Sequence, residues 1–249
     1  MAPLIRLRWT AFLVVCLLGS STLTARPDDP AERLRQARDD LAHDRYNQAV
    51  AIYEEVCPRV RNADCWNELG VTRMSMGGYT RALESFERAH KLRPGSGEIL
   101  SHMAMAAFAA RRHDVAGDYH RRALQAAPAA ANVRVNYGIY LLRSRRYDAA
   151  LREFNTVVRA HPRDFFARLG RGRALYHLGR KDEALRELDQ GIAINPRFFD
   201  LYYARAVVKF KTGDFGGALA DLRRAEKINP INGRTGPLRT QIRRKMNQR

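Results

Sequence analysis

The apolar positions of this chain recur with a period of 34 residues. Pro94, Pro128, Pro162, Pro196 and Pro230 form one column in that register, and Ala82, Ala116, Ala150, Ala184 and Ala218 form a second. A third holds Phe86, His120, Phe154, Leu188 and Leu222, and a fourth holds Gly70, Ala104, Gly138, Gly172 and Ala206. A fifth holds Tyr79, His113, Tyr147, Lys181 and Phe215. Such self-similarity marks a chain assembled from stacked copies of one supersecondary unit. Within residues 63–96, Trp66, Leu69, Gly70 and Arg73 keep the spacing of one helical face. Gly77-Gly78 breaks that helix. Ala82, Phe86 and Ala89 mark a second face, and Pro94 closes the unit because proline cannot continue a helix interior. The pattern predicts an all-α chain of helix hairpins, with Gly70 and Ala82 placed where the two helices cross.

These columns resemble the tetratricopeptide repeat (TPR) family, whose pattern runs Trp-Leu-Gly, Tyr, Ala, Phe, Ala, Pro. The best match is Trp66, Leu69, Gly70, Tyr79, Ala82, Phe86, Ala89 and Pro94. The resemblance assigns repeats at 63–96, 97–130, 131–164, 165–198 and 199–232, with a degenerate unit at about 30–62 carrying Tyr46, Ala49, Tyr53 and Pro58. It implies a right-handed solenoid. Asp29-Pro30-Ala31-Glu32 reads as a helix start, with an N-cap Asp, Pro at the first helical position and an acid in the first turn. After a break at 233–237, Leu238, Ile242 and Met246 form one apolar stripe on a short basic helix that caps the end, so 233–249 is a capping helix and tail.

In this family the first helix of each repeat lines a concave face. The positions left free by packing are Val71, Met74, Met105, Phe108, Val135, Ile139, Leu142, Phe166, Leu169, Tyr176, Tyr203, Val207 and Phe210. An exposed apolar lining of that extent reads as a groove for an amphipathic helix or an extended apolar segment of a protein client. The alternative is that the solenoid closes on itself or dimerises and buries them. Arg143, Arg173, His177 and Lys211 are expected at one rim. Some cytosolic co-chaperones of the family clamp a terminal carboxylate with Lys, Asn and Arg. The matching positions here, including Asn67, Val71, Asn136, Phe166 and Gly170, do not reproduce that clamp.

Charge adds a second candidate surface. Of 249 residues, 44 are Lys or Arg and 26 are Asp or Glu, giving a net charge of +18. The turns within repeats carry Arg111-Arg112, Arg145-Arg146 and Arg180-Lys181, which align as a basic ridge. The ridge suits an acidic protein, anionic lipid or lipopolysaccharide. Its alternative is a plain solvated edge. No nucleic-acid motif accompanies the charge, and nucleic acid is not an expected partner. Hydrophobic content of 45% and charged content of 28% exclude a polytopic membrane protein and a wholly disordered chain.

The first residues read as an address. Arg6 and Arg8 precede an apolar run at 11–19 and a small-residue stretch ending at Ala25, the order of a cleaved signal peptide at 1–25. An uncleaved anchor and a buried helix are the alternatives. Val15 before Cys16 fits a lipidation site poorly, so a lipid anchor is disfavoured. The expected location is exported, in a bacterial periplasm or associated with the outer membrane. After processing, Cys57 and Cys65 remain, and an oxidising compartment predicts a disulfide between them. A metal site or two free thiols are the alternatives.

No catalytic, cofactor-binding or metal-ligating set is assigned. The dispersed histidines, including His113 and His120 at packing positions, and the carboxylates beside Arg, as at Glu153 and Glu187, read as core and solvated helix face. The expected function is a non-enzymatic exported scaffold holding a client during assembly of a cell-envelope machine. A leader followed by six repeats also resembles pilotin-type TPR proteins of type IV pilus biogenesis, with Asn136-Tyr137-Gly138 and Tyr147 similar to their middle repeat. Those proteins help a secretin assemble. Docking on anionic lipid through the ridge is the third reading.

Overall fold

The computed structural model describes residues 29–248. The leader reading of 1–25, with Cys16, lies outside the described residues. Thirteen helices fill the described chain and pack as consecutive pairs. The first helices of the pairs are α1 (Pro30–Ala42), α3 (Ala63–Ser75), α5 (Gly97–Ala109), α7 (Ala131–Arg143), α9 (Phe165–His177) and α11 (Phe199–Thr212). Their partners are α2 (Tyr46–Val60), α4 (Tyr79–Leu92), α6 (His113–Ala126), α8 (Tyr147–Ala160), α10 (Lys181–Ile194) and α12 (Phe215–Ile228). A final helix, α13 (Thr235–Met246), lies against α12 and α11. It buries Leu238 and Ile242 and leaves Met246 exposed, so only part of the expected stripe caps the end.

The start of α1 is capped as the sequence suggests, with the Ala31 N–H donating to Asp29 Oδ1 at 3.0 Å. Asn62, Ser96 and Asp164 likewise cap α3, α5 and α9 through backbone N–H groups. The second helix of the first pair differs from expectation. Pro58 lies inside α2, which runs on to Val60 and ends at Arg61 in a left-handed conformation.

Interlocking of small and large columns holds each hairpin together. A Cβ at Gly138 would stand 2.7 Å from the Phe154 ring, and one at Gly70 would overlap the Phe86 ring. The small residue therefore makes room for an aromatic ring from the partner helix rather than for its backbone. Phe86 and Phe154 are fully buried there. Cores of this density lose about 3–5 kcal/mol when such a ring is removed.

Ion pairs add a second stitch. Glu187 accepts from Arg168 at 3.0 Å and pairs with Arg171 at 2.9 Å, and Asp221 pairs with Arg205 and with Lys209 at 3.0 Å. Glu187 and Asp221 are buried. The reading of Glu187 as part of a solvated face is thus corrected: cations from the first helix of the same hairpin offset the burial of its charge.

Cys57 and Cys65 are joined in a disulfide, with Cα atoms 5.5 Å apart. Both are buried, and the bond staples α2 to α3. Closing a loop of this length stabilises by roughly 2–3 kcal/mol on the chain-entropy view. Among the described residues, no helix is long and apolar enough to cross a membrane, and no three metal-ligating side chains cluster.

Candidate partner groove

Stacking in one register turns equivalent first-helix positions into a trough. Four cavities lie along it. The first, about 340 Å³, is lined by Val71, Met74, His102 and Met105. The second, about 370 Å³, includes Met74, Met105, Phe108, Ile139, Tyr140 and Arg143. The third, about 390 Å³, includes Ile139, Leu142, Arg143, Phe166, Leu169 and Arg173. The fourth, about 220 Å³, includes Arg173, Tyr176, His177, Tyr203, Val207 and Arg234. Each cavity shares wall residues with the next, so the four form one interrupted channel across α3, α5, α7, α9 and α11.

The structure brings together every residue expected in the groove except two. Val135 is buried in the central core, on the side of α7 that faces its neighbours. Phe210 packs on Phe215, with ring centres 5.9 Å apart, beneath the Lys211 ammonium. Among the rest, Phe166 is 49% exposed, Val71 41% and Ile139 39%. These are large apolar side chains facing solvent beside formed cavities, the anatomy of a protein-docking surface.

Sequence reasoning missed the polar groups of the second cavity. His120 comes from α6 and lines the cavity. It is 1% exposed, lies 4.8 Å from the Tyr140 ring, and its Nδ1 has no hydrogen-bond partner. Burial pushes its pKa down to about 4, so the ring is neutral at pH 7. Tyr140 reaches the cavity over Gly117, where a Cβ would stand 3.0 Å from its hydroxyl. The period itself carried the signal: a histidine stands in a column otherwise filled by Phe and Leu. Its companion His113 does not join the core. It is exposed and stacks edge-on to Phe108 at 4.8 Å.

Basic side chains stand at the partitions of the channel. Arg143 belongs to both the second and third cavities, and Arg173 and His177 to both the third and fourth. Arg173 Nη2 lies 3.2 Å from Asp200, a carboxylate it shares with Arg234 at 2.6 Å. Burial lowers the Arg173 pKa below the usual guanidinium value, Asp200 opposes that shift, and Arg234 and Arg143 add to it. His177 stacks on Tyr147 at 4.5 Å and is held below its ordinary pKa by burial, then by Arg145 and Arg173. No carboxylate lines any of the four cavities.

The ridge residues occupy the opposite kind of site. Arg111 and Arg145 are exposed and adopt positive φ angles of 63° and 58°, in the register where Gly77, Gly179 and Gly213 stand. Such a conformation costs a residue with a side chain roughly 1–2 kcal/mol. Arg112, Arg146 and Arg180 are N-caps of α6, α8 and α10 without a capping side-chain bond, where the helix dipole disfavours a cation. Arg180 is paired with Glu183 at 2.7 Å, and Lys181 reaches the Lys211 carbonyl at 3.5 Å. Arg111, Arg112, Arg145 and Arg146 pair with no described carboxylate.

The tetratricopeptide repeat family model matches residues 67–131, 138–197 and 179–232. No curated protein matches the chain. Similar solved structures include a tetratricopeptide repeat protein from Parabacteroides merdae, 17% identical with a TM-score of 0.76, the match covering 88% of this chain and 86% of that one. A chain of the APC/C hetero-tetramer Cut9-Hcn1 has the same TM-score of 0.76 at 15% identity, but this chain, itself covered over 88%, spans only 44% of it. The pilF protein of Pseudomonas aeruginosa is 17% identical with a TM-score of 0.63, covering 74% of this chain and 84% of its own. At such identities the likeness is one of fold.

Proposed function

The chain belongs to the tetratricopeptide repeat family, whose domains typically bind protein partners, and from that premise we propose that it is an exported scaffold that holds a client segment in its concave groove during assembly of a cell-envelope machine. The observation that carries this reading is the run of four connected cavities with Phe166, Val71 and Ile139 exposed along it. The buried disulfide is consistent with an oxidising compartment and supports export. The scaffold acts by positioning its client and has no turnover of its own.

A narrower reading makes it a pilotin-like factor for secretin assembly in type IV pili. The fold likeness to Pseudomonas aeruginosa pilF and the Asn136-Tyr137-Gly138 segment favour it. The unpaired arginines of the turns favour a third reading, docking on anionic lipid or lipopolysaccharide.

A photo-crosslinking amino acid at Phe166 of the full chain, in intact cells, tests the first reading. One envelope protein captured in place, and lost when Leu142 and Tyr176 become Glu, is the expected result. A secretin in that band selects the pilotin reading. Capture of lipid alone transfers the function to the ridge and overturns the groove.

A further inference from the structure

The partitions of the channel give it a pattern that goes beyond apolarity. Along the solenoid the wall alternates apolar cavity, Arg143, apolar cavity, Arg173 with His177, apolar cavity. Arg143 has no described ion-pair partner, only the face of Phe108 with the guanidinium 5.9 Å from the ring centre. Arg173 and Arg234 divide the single carboxylate of Asp200. The cations are therefore under-compensated. Arg143 is exposed and Arg173 half-buried, each beside the apolar side chains of the adjoining cavities, so a client laid over them would exclude water and weaken the screening of any opposite charge it brings. A purely apolar segment laid through this channel would bury those guanidinium groups without giving them acceptors, which is unfavourable.

We propose that the groove selects an acidic amphipathic segment of a partner protein: apolar side chains enter the cavities, and Asp or Glu side chains between them pair with Arg143 and Arg173 at the partitions. This inference rests on the groove being the client site. It makes the cations determinants of client choice and register, since only a segment with acids spaced between apolar anchors meets both kinds of wall. Arg173 already holds one acceptor in Asp200, so it offers its remaining donors to the client, while Arg143 offers its whole fork.

Selection from a random peptide library displayed against the full chain tests it, followed by binding titrations with synthetic copies of the enriched peptide. The expected peptides carry Asp or Glu between large apolar positions. Changing those acids to Asn or Gln should weaken binding at least tenfold, equal to about 1.4 kcal/mol. Arg143→Glu should erase the part of that difference carried by the acid that meets Arg143 and favour a peptide carrying Lys at that position instead. Because Arg143 has no ion-pair partner to lose, its reversal should leave helix content unchanged, and Arg173→Gln supplies a second, milder variant. Enriched peptides with apolar anchors and no acid preference would overturn this inference and leave the groove standing. Enriched peptides whose binding survives Leu142→Glu with Tyr176→Glu, or no enrichment at all, would overturn the groove reading with it.

Discussion

Arginine serves two different surfaces of this molecule, and the contrast between the concave channel and the turn edge shows how surroundings set its role. In the channel, Arg143 and Arg173 stand between cavities lined by Ile139, Leu142 and Phe166. Arg143 is itself exposed in the free protein, but a client covering the cavities beside it would exclude water, so a charge pair made on binding there keeps more strength than one on an open edge. On the edge, Arg111, Arg112, Arg145 and Arg146 face bulk solvent. Their mutual field falls off within about 8 Å at physiological salt. The edge also breaks local rules, with arginine at left-handed turns and at helix N-caps. The channel breaks a different one, burying a histidine nitrogen without a partner. Places where local rules fail are where function or strain is expected.

The largest expected effect attacks the channel. Leu142→Glu with Tyr176→Glu should reduce client-peptide affinity by at least 100-fold while circular dichroism stays unchanged, because both residues face the trough. Unchanged affinity would place binding elsewhere.

The second test concerns His120. Its folded pKa of about 4 lies below the ordinary 6.5, so the unfolded chain takes up the proton first as the pH falls. Its share of stability is complete above about pH 6.5 and is lost as the pH drops toward 4, by up to ~3 kcal/mol. Leu222 holds the same column of its repeat and is buried in one cluster with Ala206, so His120→Leu should be accommodated and should flatten the acid limb of denaturant melts followed by pH. A limb of the same slope in the variant would remove His120 from the account.

The third sits away from both surfaces. Cys57→Ser with Cys65→Ser should destabilise the first two repeats by roughly 2–3 kcal/mol. Hydrogen exchange should show the loss in α1 and α2 before the rest, since repeats couple mainly to their neighbours.

Edge substitutions should have the smallest effects. Arg111→Gly and Arg145→Gly should each raise stability by about 0.5–1 kcal/mol, the relief of a strained φ less the entropy of glycine. A loss in thermal melts would mean that those side chains make contacts worth more than the strain. Reversing Arg145, Arg146, Arg180 and Lys181 to Glu should weaken an acidic peptide less than Arg143→Glu does, through a long-range field that fades as salt rises.

Much of the fold was legible because the columns that repeat are the ones that touch. Gly138 and Phe154 lie in separate columns of the sequence and interlock in space. The lining of the groove was readable for the same reason: Met105 and Ile139, one repeat apart in a single column, line adjoining cavities, and Phe166 comes beside Ile139 from another column. Val135 was not, because its position on α7 turns toward the neighbouring helices. His120 and Tyr140 were not, because they meet at the cavity from two helices, α6 and α7, and Tyr140 gets there only where Gly117 is small. Glu187 looked solvated because its partner, Arg168, lies 19 residues away on the facing helix. The positive φ of Arg111 and Arg145 was encoded in the 34-residue register they share with Gly77, Gly179 and Gly213.

The most direct comparison of the two surfaces places the same photo-crosslinker at Ile139 in one variant of the full chain and at Arg146 in another, in intact cells. The account predicts that the client protein is captured from Ile139 at a yield at least tenfold above that from Arg146. Equal yields, or capture from Arg146 alone, would contradict the groove and make the arginine edge the working surface.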